Sequence, residues 1–149
     1  LTPSRGLGDV YKRQLHTYFS VGDINAVQVT GLEDKTYLDK VDQFTEKKQT
    51  GPISVSREVD RIYQHVDKPL SINDKSWNRH IHITHAGSAS SVVWNPWVDI
   101  SQSSKDLQDN DYQQFICVET ANAGEDIITV AANEDYSLSV EYRVDENIN

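Results

Sequence analysis

Methionine is absent from the 149-residue sequence, and cysteine occurs once, at Cys117. A single cysteine excludes an intrachain disulfide, which favours a reducing compartment. No apolar run approaches the roughly 20 residues of a membrane span, and the N-terminus lacks the apolar segment of a signal peptide. We therefore expect a soluble, cytoplasmic protein with no membrane partner.

Positive charge is also scarce. There are 14 Lys and Arg against 23 Asp and Glu, which gives a net charge of −9 and a pI near 4.9. No segment gathers the cations into a dense patch, and phosphate backbones are bound by clustered cations. The composition therefore excludes a nucleic-acid-binding surface. Aromatic residues make up 9% of the chain, enough for a folded domain rather than a disordered tail.

Residues 1–14 lack a sustained hydrophobic period and contain Pro3, Gly6 and Gly8, a pattern that predicts an unstructured leader. The hexapeptide DVYKRQ at 9–14 is similar to an in-frame translation of an adapter used to build sequencing libraries. We expect residues 1–14 to be a non-native leader and residues 15–149 to be the domain. A genuine polar N-terminal arm is the alternative.

The rest of the sequence predicts a sheet protein. Apolar and polar residues alternate with a period of two at 27–29, 53–59, 81–83 and 138–144. Such alternation is typical of half-buried antiparallel strands, and the best helical candidate is a short one at 104–107. These segments predict an all-β fold, an antiparallel β-sandwich or a barrel.

Two segments carry side chains suited to proton transfer. His16 lies in LHTYF, where strand alternation places it on one face with Tyr18, and imidazole exchanges protons near neutral pH. Glu119 ends the apolar segment FICVE on the face of Cys117 and Phe115. A carboxylate on an apolar face is costly unless it is paired or functional. The alternatives are an ordinary strand histidine, and a strand that ends at Val118 so that Glu119 reaches water.

Two further segments suit carbohydrate binding. Alternation predicts that Asp60 and Glu58 share a face with Ser54 and Ser56, where carboxylates can accept hydrogen bonds from sugar hydroxyls. The segment VVWNPW brings two indoles close to Asn95, and indole offers a flat apolar surface. The alternatives are a solvated strand face with weak ion pairs and tryptophans that only pack in the core.

His80 and His82 form a competing pair. Residues at i and i+2 of a strand share a face, so these two side chains can chelate a metal, as in metal-dependent β-barrels. Spacing supplies no third ligand, so we expect no metal site.

The order of these segments resembles that of the glucose-6-phosphate 1-epimerases, the hexose-6-phosphate mutarotases of the aldose 1-epimerase superfamily. The shared segments are LHTYF, VTGL followed by Tyr37 and Asp39, EVDRIY, VVWNPW and CVE, and the resemblance runs from Leu15 almost to the C-terminus. It implies a galactose mutarotase-like supersandwich and an isomerase that interconverts the α and β anomers of hexose 6-phosphates.

The resemblance also implies residue roles. His16 matches the catalytic acid and Glu119 the base, placed on opposite sides of the anomeric carbon, while Asp60 matches a residue that binds substrate hydroxyls. The implied reaction needs no metal or organic cofactor. A non-catalytic carbohydrate-binding β-sandwich remains the alternative function.

The resemblance further implies an upstream part that holds the substrate phosphate and has no counterpart in this sequence. We therefore expect residues 15–149 to be the C-terminal part of a larger sandwich that is monomeric at full length. An incomplete sheet exposes unpaired strand edges, so we expect low stability and low activity of the chain on its own.

Overall fold

The computed structural model describes residues 9–146, which form two packed antiparallel sheets and a small third one. Among these residues the strands, in chain order, are β1 Asp9–Tyr11, β2 Arg13–Leu15, β3 Tyr18–Ser20, β4 Val27–Thr30, β5 Thr36–Asp39, β6 Thr45–Lys48, β7 Ile53–Ser54, β8 Val59–Tyr63, β9 Leu70–Asp74, β10 Arg79–Ala86, β11 Ser90–Asn95, β12 Phe115–Asn122, β13 Ile128–Val130 and β14 Ser139–Glu146. One α-helix, α1, spans Trp97–Ser103. Short 3-10 helices span Ile24–Ala26, Lys40–Asp42 and Asp111–Gln114.

The sheets form an open sandwich. One sheet has the strand order β14-β10-β9-β4-β7, and the other has the order β2-β12-β11-β8-β5-β6 with β3 also paired to β12. Strands β1 and β13 form a separate ribbon. Neither large sheet closes on itself, so the prediction of an antiparallel β-sandwich is confirmed and the barrel is excluded.

The hydrophobic core lies between the two large sheets. The five-stranded sheet contributes Val29, Ile72 and Ile83, and the seven-stranded sheet contributes Val93 and Val118, all essentially inaccessible to solvent. Because successive strand residues point to opposite faces, the residues that alternate with Val93 and Val118 face away from the core. Those residues on β11 and β12 form the outer face on which the candidate site lies.

The leader is structured where the structure describes it. Arg13–Leu15 pairs with β12 and Asp9–Tyr11 pairs with β13, so the prediction of an unstructured segment is wrong for residues 9–14. The turn-forming residues that suggested disorder, Pro3, Gly6 and Gly8, lie outside the described residues. Pairing with β12 satisfies the backbone hydrogen-bonding groups of residues whose side chains have no clear apolar pattern. The non-native origin of residues 1–14 stays a prediction.

Two other expectations are corrected. The predicted continuous strand over 53–59 is broken: β7 belongs to the five-stranded sheet and β8 to the seven-stranded sheet. The chain crosses between sheets here, which lets Val55 and Val59 both reach the core, and Ser54 therefore shares no sheet face with Asp60. The helix begins at Trp97, after Pro96, rather than at 104.

No helix among residues 9–146 is long and apolar enough to cross a membrane.

Candidate active site

The strand register gathers the candidate residues on the outer face of the seven-stranded sheet. Glu119 of β12 pairs with Val92 of β11, and two residues further along β11 Trp94 pairs with Cys117 on one side and with Asp60 of β8 on the other. Side chains two residues apart on a strand share a face. Glu119, Val92, Trp94 and Asp60 therefore lie on one continuous surface.

His16 reaches this surface from the link between two short strands. Both β2 and β3 pair with β12, through Leu15 with Thr120 and through Tyr18 with Cys117. This places His16 beside Glu119, and its Nδ1 lies 2.9 Å from Glu119 Oε1. The imidazole is 65% exposed and the carboxylate only 5%, so the histidine covers the glutamate from solvent.

The Glu119 carboxylate has partners on both oxygens. Gln14 donates a hydrogen bond from Nε2 to Oε2, while Oε1 faces the histidine. The contact uses one ring nitrogen, Nδ1, and leaves the other, Nε2, to accept or donate a hydrogen bond elsewhere. The strand continues to Asn122, so the alternative in which it ends before Glu119 is wrong.

Asp60 lies at the other end of the surface, beside Lys40, the first residue of a 3-10 helix that follows β5. Lys40 Nζ is 3.3 Å from Asp60 Oδ2. Burial raises the pKa of Asp60 above its ordinary value, and the neighbouring ammonium offsets part of that increase. The predicted partner Glu58 lies elsewhere, in a separate cavity lined by Arg57 and Arg61.

These residues enclose one open cleft. Its volume is about 250 Å³, against about 30 Å³ for one water molecule in the liquid, so it admits a small molecule. Polar groups stand at its two ends and apolar side chains form its floor. The lining residues are Gln14, His16, Tyr18, Lys40, Asp60, Val92, Trp94 and Glu119.

The VVWNPW segment divides between the cleft and the core. Trp94 lines the cleft, but Trp97 packs against the core and against Tyr112, with ring centroids 5.0 Å apart. Asn95 is fully buried and uses its amide on the backbone: Nδ2 donates to the carbonyls of Tyr112 and Phe115, and Oδ1 accepts from the Trp97 N–H. Asn95 therefore fixes the end of β11 and does not face a ligand.

His80 and His82 lie on β10, in the other large sheet. Their rings are 6.1 Å apart, and His82 Nε2 is 2.9 Å from Asp145 Oδ2. Within residues 9–146, no group of three or more His, Cys, Asp or Glu side chains is arranged to hold a metal ion. The barrel that the metal-site alternative assumed is absent from this fold.

Sequence reasoning missed two cleft residues, Lys40 and Gln14. Lys40 directly follows β5, and no local pattern marks it. It enters the cleft because the last β5–β8 pair joins Asp39 to Arg61, which brings the adjacent residues Lys40 and Asp60 side by side. Gln14 falls in the predicted leader and enters the cleft because β2 pairs with β12. Both positions depend on register between distant strands.

The fold and the site together define a class: an open antiparallel β-sandwich with a hydrogen-bonded imidazole–carboxylate pair in a polar cleft on its outer face. The chain belongs to the aldose 1-epimerase family, whose sequence profile matches residues 11–143. That match includes part of the predicted leader.

Individual relatives agree with this family. A protein of Escherichia coli K12 provisionally named glucose-6-phosphate 1-epimerase is 42% identical over 112 residues, which cover 74% of this chain and 38% of that protein. A protein of Cenchrus ciliaris with the same provisional name is 36% identical over 129 residues, covering 85% of this chain and 38% of that protein. The crystal structure of a provisionally named mutarotase from Salmonella typhimurium superposes with a TM-score of 0.87 at 30% identity, over 96% of this chain and 48% of that one.

The chain thus spans 38% of the length of these curated relatives. The predicted family and its supersandwich fold are confirmed by these matches.

Proposed function

We propose that this chain carries the proton-transfer residues of an isomerase that interconverts the α and β anomers of hexose 6-phosphates. The observation that carries the proposal is the 2.9 Å contact between His16 Nδ1 and Glu119 Oε1 in a cleft that has a second carboxylate, Asp60, at its far end. The hexose 6-phosphate as substrate is supported by the names of the relatives.

Anomer conversion requires opening and closing of a hemiacetal. Glu119 takes the proton from the O1 hydroxyl while protonated His16 gives a proton to the ring oxygen, and the bond between C1 and the ring oxygen breaks. After rotation about the C1–C2 bond, the neutral imidazole takes back the proton from that oxygen, the carboxylic acid returns its proton to O1, and the ring closes. Protons balance over the cycle, and the chemistry calls for no metal or organic cofactor.

The contact between the two groups suits this chemistry. The two oxygens that exchange protons are both bonded to C1, so a donor and an acceptor held side by side can reach both. This arrangement differs from the expected one, in which acid and base stand on opposite sides of the anomeric carbon.

Asp60 lies at the other end of the cleft from this pair. The Cα atoms of Asp60 and Glu119 are about 12 Å apart, since the two residues are separated by two strand spacings across the sheet and two residues along it. A bound sugar that meets the pair at C1 can therefore donate hydroxyl hydrogen bonds to Asp60.

The test is anomer exchange of glucose 6-phosphate, measured by NMR exchange spectroscopy with the 149-residue chain. The same measurement is made on a protein that joins the upstream part of the Escherichia coli relative to this chain, because the chain covers only part of that relative. His16→Ala is compared with His65→Asn, a control at an exposed histidine with a left-handed backbone (φ 54°) that asparagine tolerates.

We expect the joined protein to accelerate exchange more than the 149-residue chain does, and we expect this acceleration to be lost in His16→Ala and retained in His65→Asn. Normal exchange in His16→Ala overturns the assignment of the acid. Absence of acceleration from both proteins overturns the function, and sugar binding without acceleration then favours the alternative of a non-catalytic carbohydrate-binding sandwich.

A further inference from the structure

Three aromatic side chains cluster beside the His16–Glu119 pair. The ring centroid of Tyr18 lies 6.0 Å from that of Trp94 in an edge-to-face arrangement and 5.5 Å from that of Phe115, while Trp94 and Phe115 are 5.8 Å apart. Phe115 is buried, but Tyr18 is 58% exposed. The proton-transfer chemistry uses none of these rings.

The strand register relates this cluster to the two polar ends of the cleft. Tyr18 pairs with Cys117, Cys117 with Trp94, and Trp94 with Asp60, so these residues form one row across four strands. Glu119 lies one row away on the same face, next to Val92. Tyr18 and Trp94 both line the cleft. Trp94 lies on β11, between the strands that carry Glu119 and Asp60, whereas Tyr18 lies on β3, on the other side of β12 from Asp60.

An exposed aromatic ring in a polar cleft has a specific use when the ligand is a sugar. A pyranose ring presents C–H bonds, which carry slight positive charge, on its flat faces, and an aromatic ring carries negative charge on its face. Packing within the protein explains the position of Phe115, whose side chain is buried. It does not explain that of Tyr18, which is largely exposed to solvent. Burying apolar surface under a ligand is favourable, so the cleft gains binding energy where Tyr18 is now exposed.

We propose that Tyr18 and Trp94 form the apolar surface against which the pyranose ring of the substrate packs, and that they set specificity for a cyclic sugar. This inference rests on the proposed function, since it assigns the ring-binding part of the same cleft. The sugar is held by its C–H face on the aromatic pair and by its hydroxyls at Asp60, with C1 at the His16–Glu119 pair. Ring contact of this kind lowers the energies of bound substrate and transition state alike, so its loss changes KM more than kcat.

The first experiment is a tryptophan fluorescence titration of the 149-residue chain with glucose 6-phosphate. Three variants are compared with wild type: Trp94→Phe, Trp77→Phe and Tyr18→Leu. Trp77 is exposed, stacks on Arg79 and does not line the cleft, so Trp77→Phe is the matched control. We expect a saturable change in wild type and in Trp77→Phe, and its loss in Trp94→Phe. The proposal is overturned if the fluorescence change is lost only in Trp77→Phe, or if glucose 6-phosphate causes no fluorescence change in any of these proteins.

The second comparison separates the Tyr18 ring from its hydroxyl. Aromatic contacts contribute about 0.5–1.5 kcal/mol beyond area burial, so Tyr18→Leu should weaken glucose 6-phosphate binding about three- to tenfold, while Tyr18→Phe stays within about twofold of wild type. The open-chain analogue sorbitol 6-phosphate has no ring face, and its affinity should be the same in wild type and Tyr18→Leu. Unchanged glucose 6-phosphate affinity in Tyr18→Leu contradicts the proposal.

The two proposals fail in different ways. If glucose 6-phosphate binds with the expected pattern but no anomer exchange is accelerated, the proposed isomerase is wrong and the aromatic surface stands. If exchange is accelerated but its KM is unchanged in Tyr18→Leu, the aromatic surface is wrong and the isomerase stands.

Discussion

His16 and Glu119 are 103 residues apart in the chain, yet His16 Nδ1 lies 2.9 Å from Glu119 Oε1. The contact forms because strands β2 and β3, on either side of His16, both pair with β12, the strand that carries Glu119. A buried carboxylate is therefore oriented by a mostly exposed imidazole at the edge of a cleft. This arrangement holds the two groups to which we assign proton transfer in position before a ligand arrives.

Asn95 is predicted to be a stabilising residue rather than a ligand contact. Its side chain makes three hydrogen bonds with backbone groups around the end of β11, two of them to carbonyls and one from an N–H. Removing them leaves buried backbone groups unpaired, so Asn95→Ala should lower the free energy of unfolding by about 2–4 kcal/mol. Urea denaturation followed by circular dichroism measures this.

The control for Asn95→Ala is Asn110→Ala. Asn110 is exposed and makes no side-chain capping bond at the start of its 3-10 helix, so its replacement should change stability by less than about 0.5 kcal/mol. Equal stability of the two variants would show that the Asn95 hydrogen bonds do not stabilise the fold.

The Lys40–Asp60 pair predicts a pH effect on substrate affinity. Burial raises the pKa of Asp60, the Lys40 ammonium lowers it in part, and the nearby Asp39 carboxylate adds to the increase. As pH falls through this raised pKa, Asp60 gains a proton and accepts hydrogen bonds from sugar hydroxyls less well. Lys40→Met removes the opposing cation and so raises the pKa of Asp60 further, which should shift the acid limb of the KM profile to higher pH.

Lys48→Met is the matched control for the pH profile. Lys48 is exposed on β6, 3.8 Å from Asp34 and outside the cleft. Its replacement should leave the acid limb of KM in place. A profile of Lys40→Met that superposes on that of Lys48→Met would rule out the ion pair as a determinant of affinity.

His80 and His82 are predicted to be dispensable for anomer exchange, because they lie on the other sheet. The double variant His80→Ala/His82→Ala should keep the wild-type exchange rate, and metal analysis of the purified protein should find no stoichiometric transition metal. Loss of exchange in the double variant, together with one bound metal ion per chain, would instead support the metal-dependent alternative.

Local patterns were sufficient to predict the strands and the faces of several residues. The alternation at 27–29, 81–83 and 138–144 corresponds to parts of β4, β10 and β14. The placement of Glu119 on the face of Cys117 is also correct, because alternation holds throughout a regular strand. The alternation at 53–59 led to a wrong prediction of one continuous strand. A chain that crosses from one sheet to the other can keep the alternation of buried residues although the strand itself is broken.

The contacts that make the site could not be predicted from local patterns. The approach of His16 to Glu119 and of Lys40 to Asp60 depends on which strands pair and in what register. Residues 9–14 illustrate the same limit: their strands exist because β12 and β13 supply pairing partners, and their own sequence carries no strand signal. The resemblance to a known family supplied the roles proposed for His16 and Glu119, and the structure supplied their contact.

The role of Glu119 as the base is tested by the anomer exchange rate of Glu119→Gln, measured on the protein that joins this chain to the upstream part of the Escherichia coli relative. Glutamine keeps the shape of the side chain but cannot take a proton from O1. We expect an exchange rate lower by about 10²- to 10⁴-fold, with glucose 6-phosphate binding retained in the fluorescence titration. An exchange rate equal to that of the wild type, with binding intact, would contradict this role of Glu119.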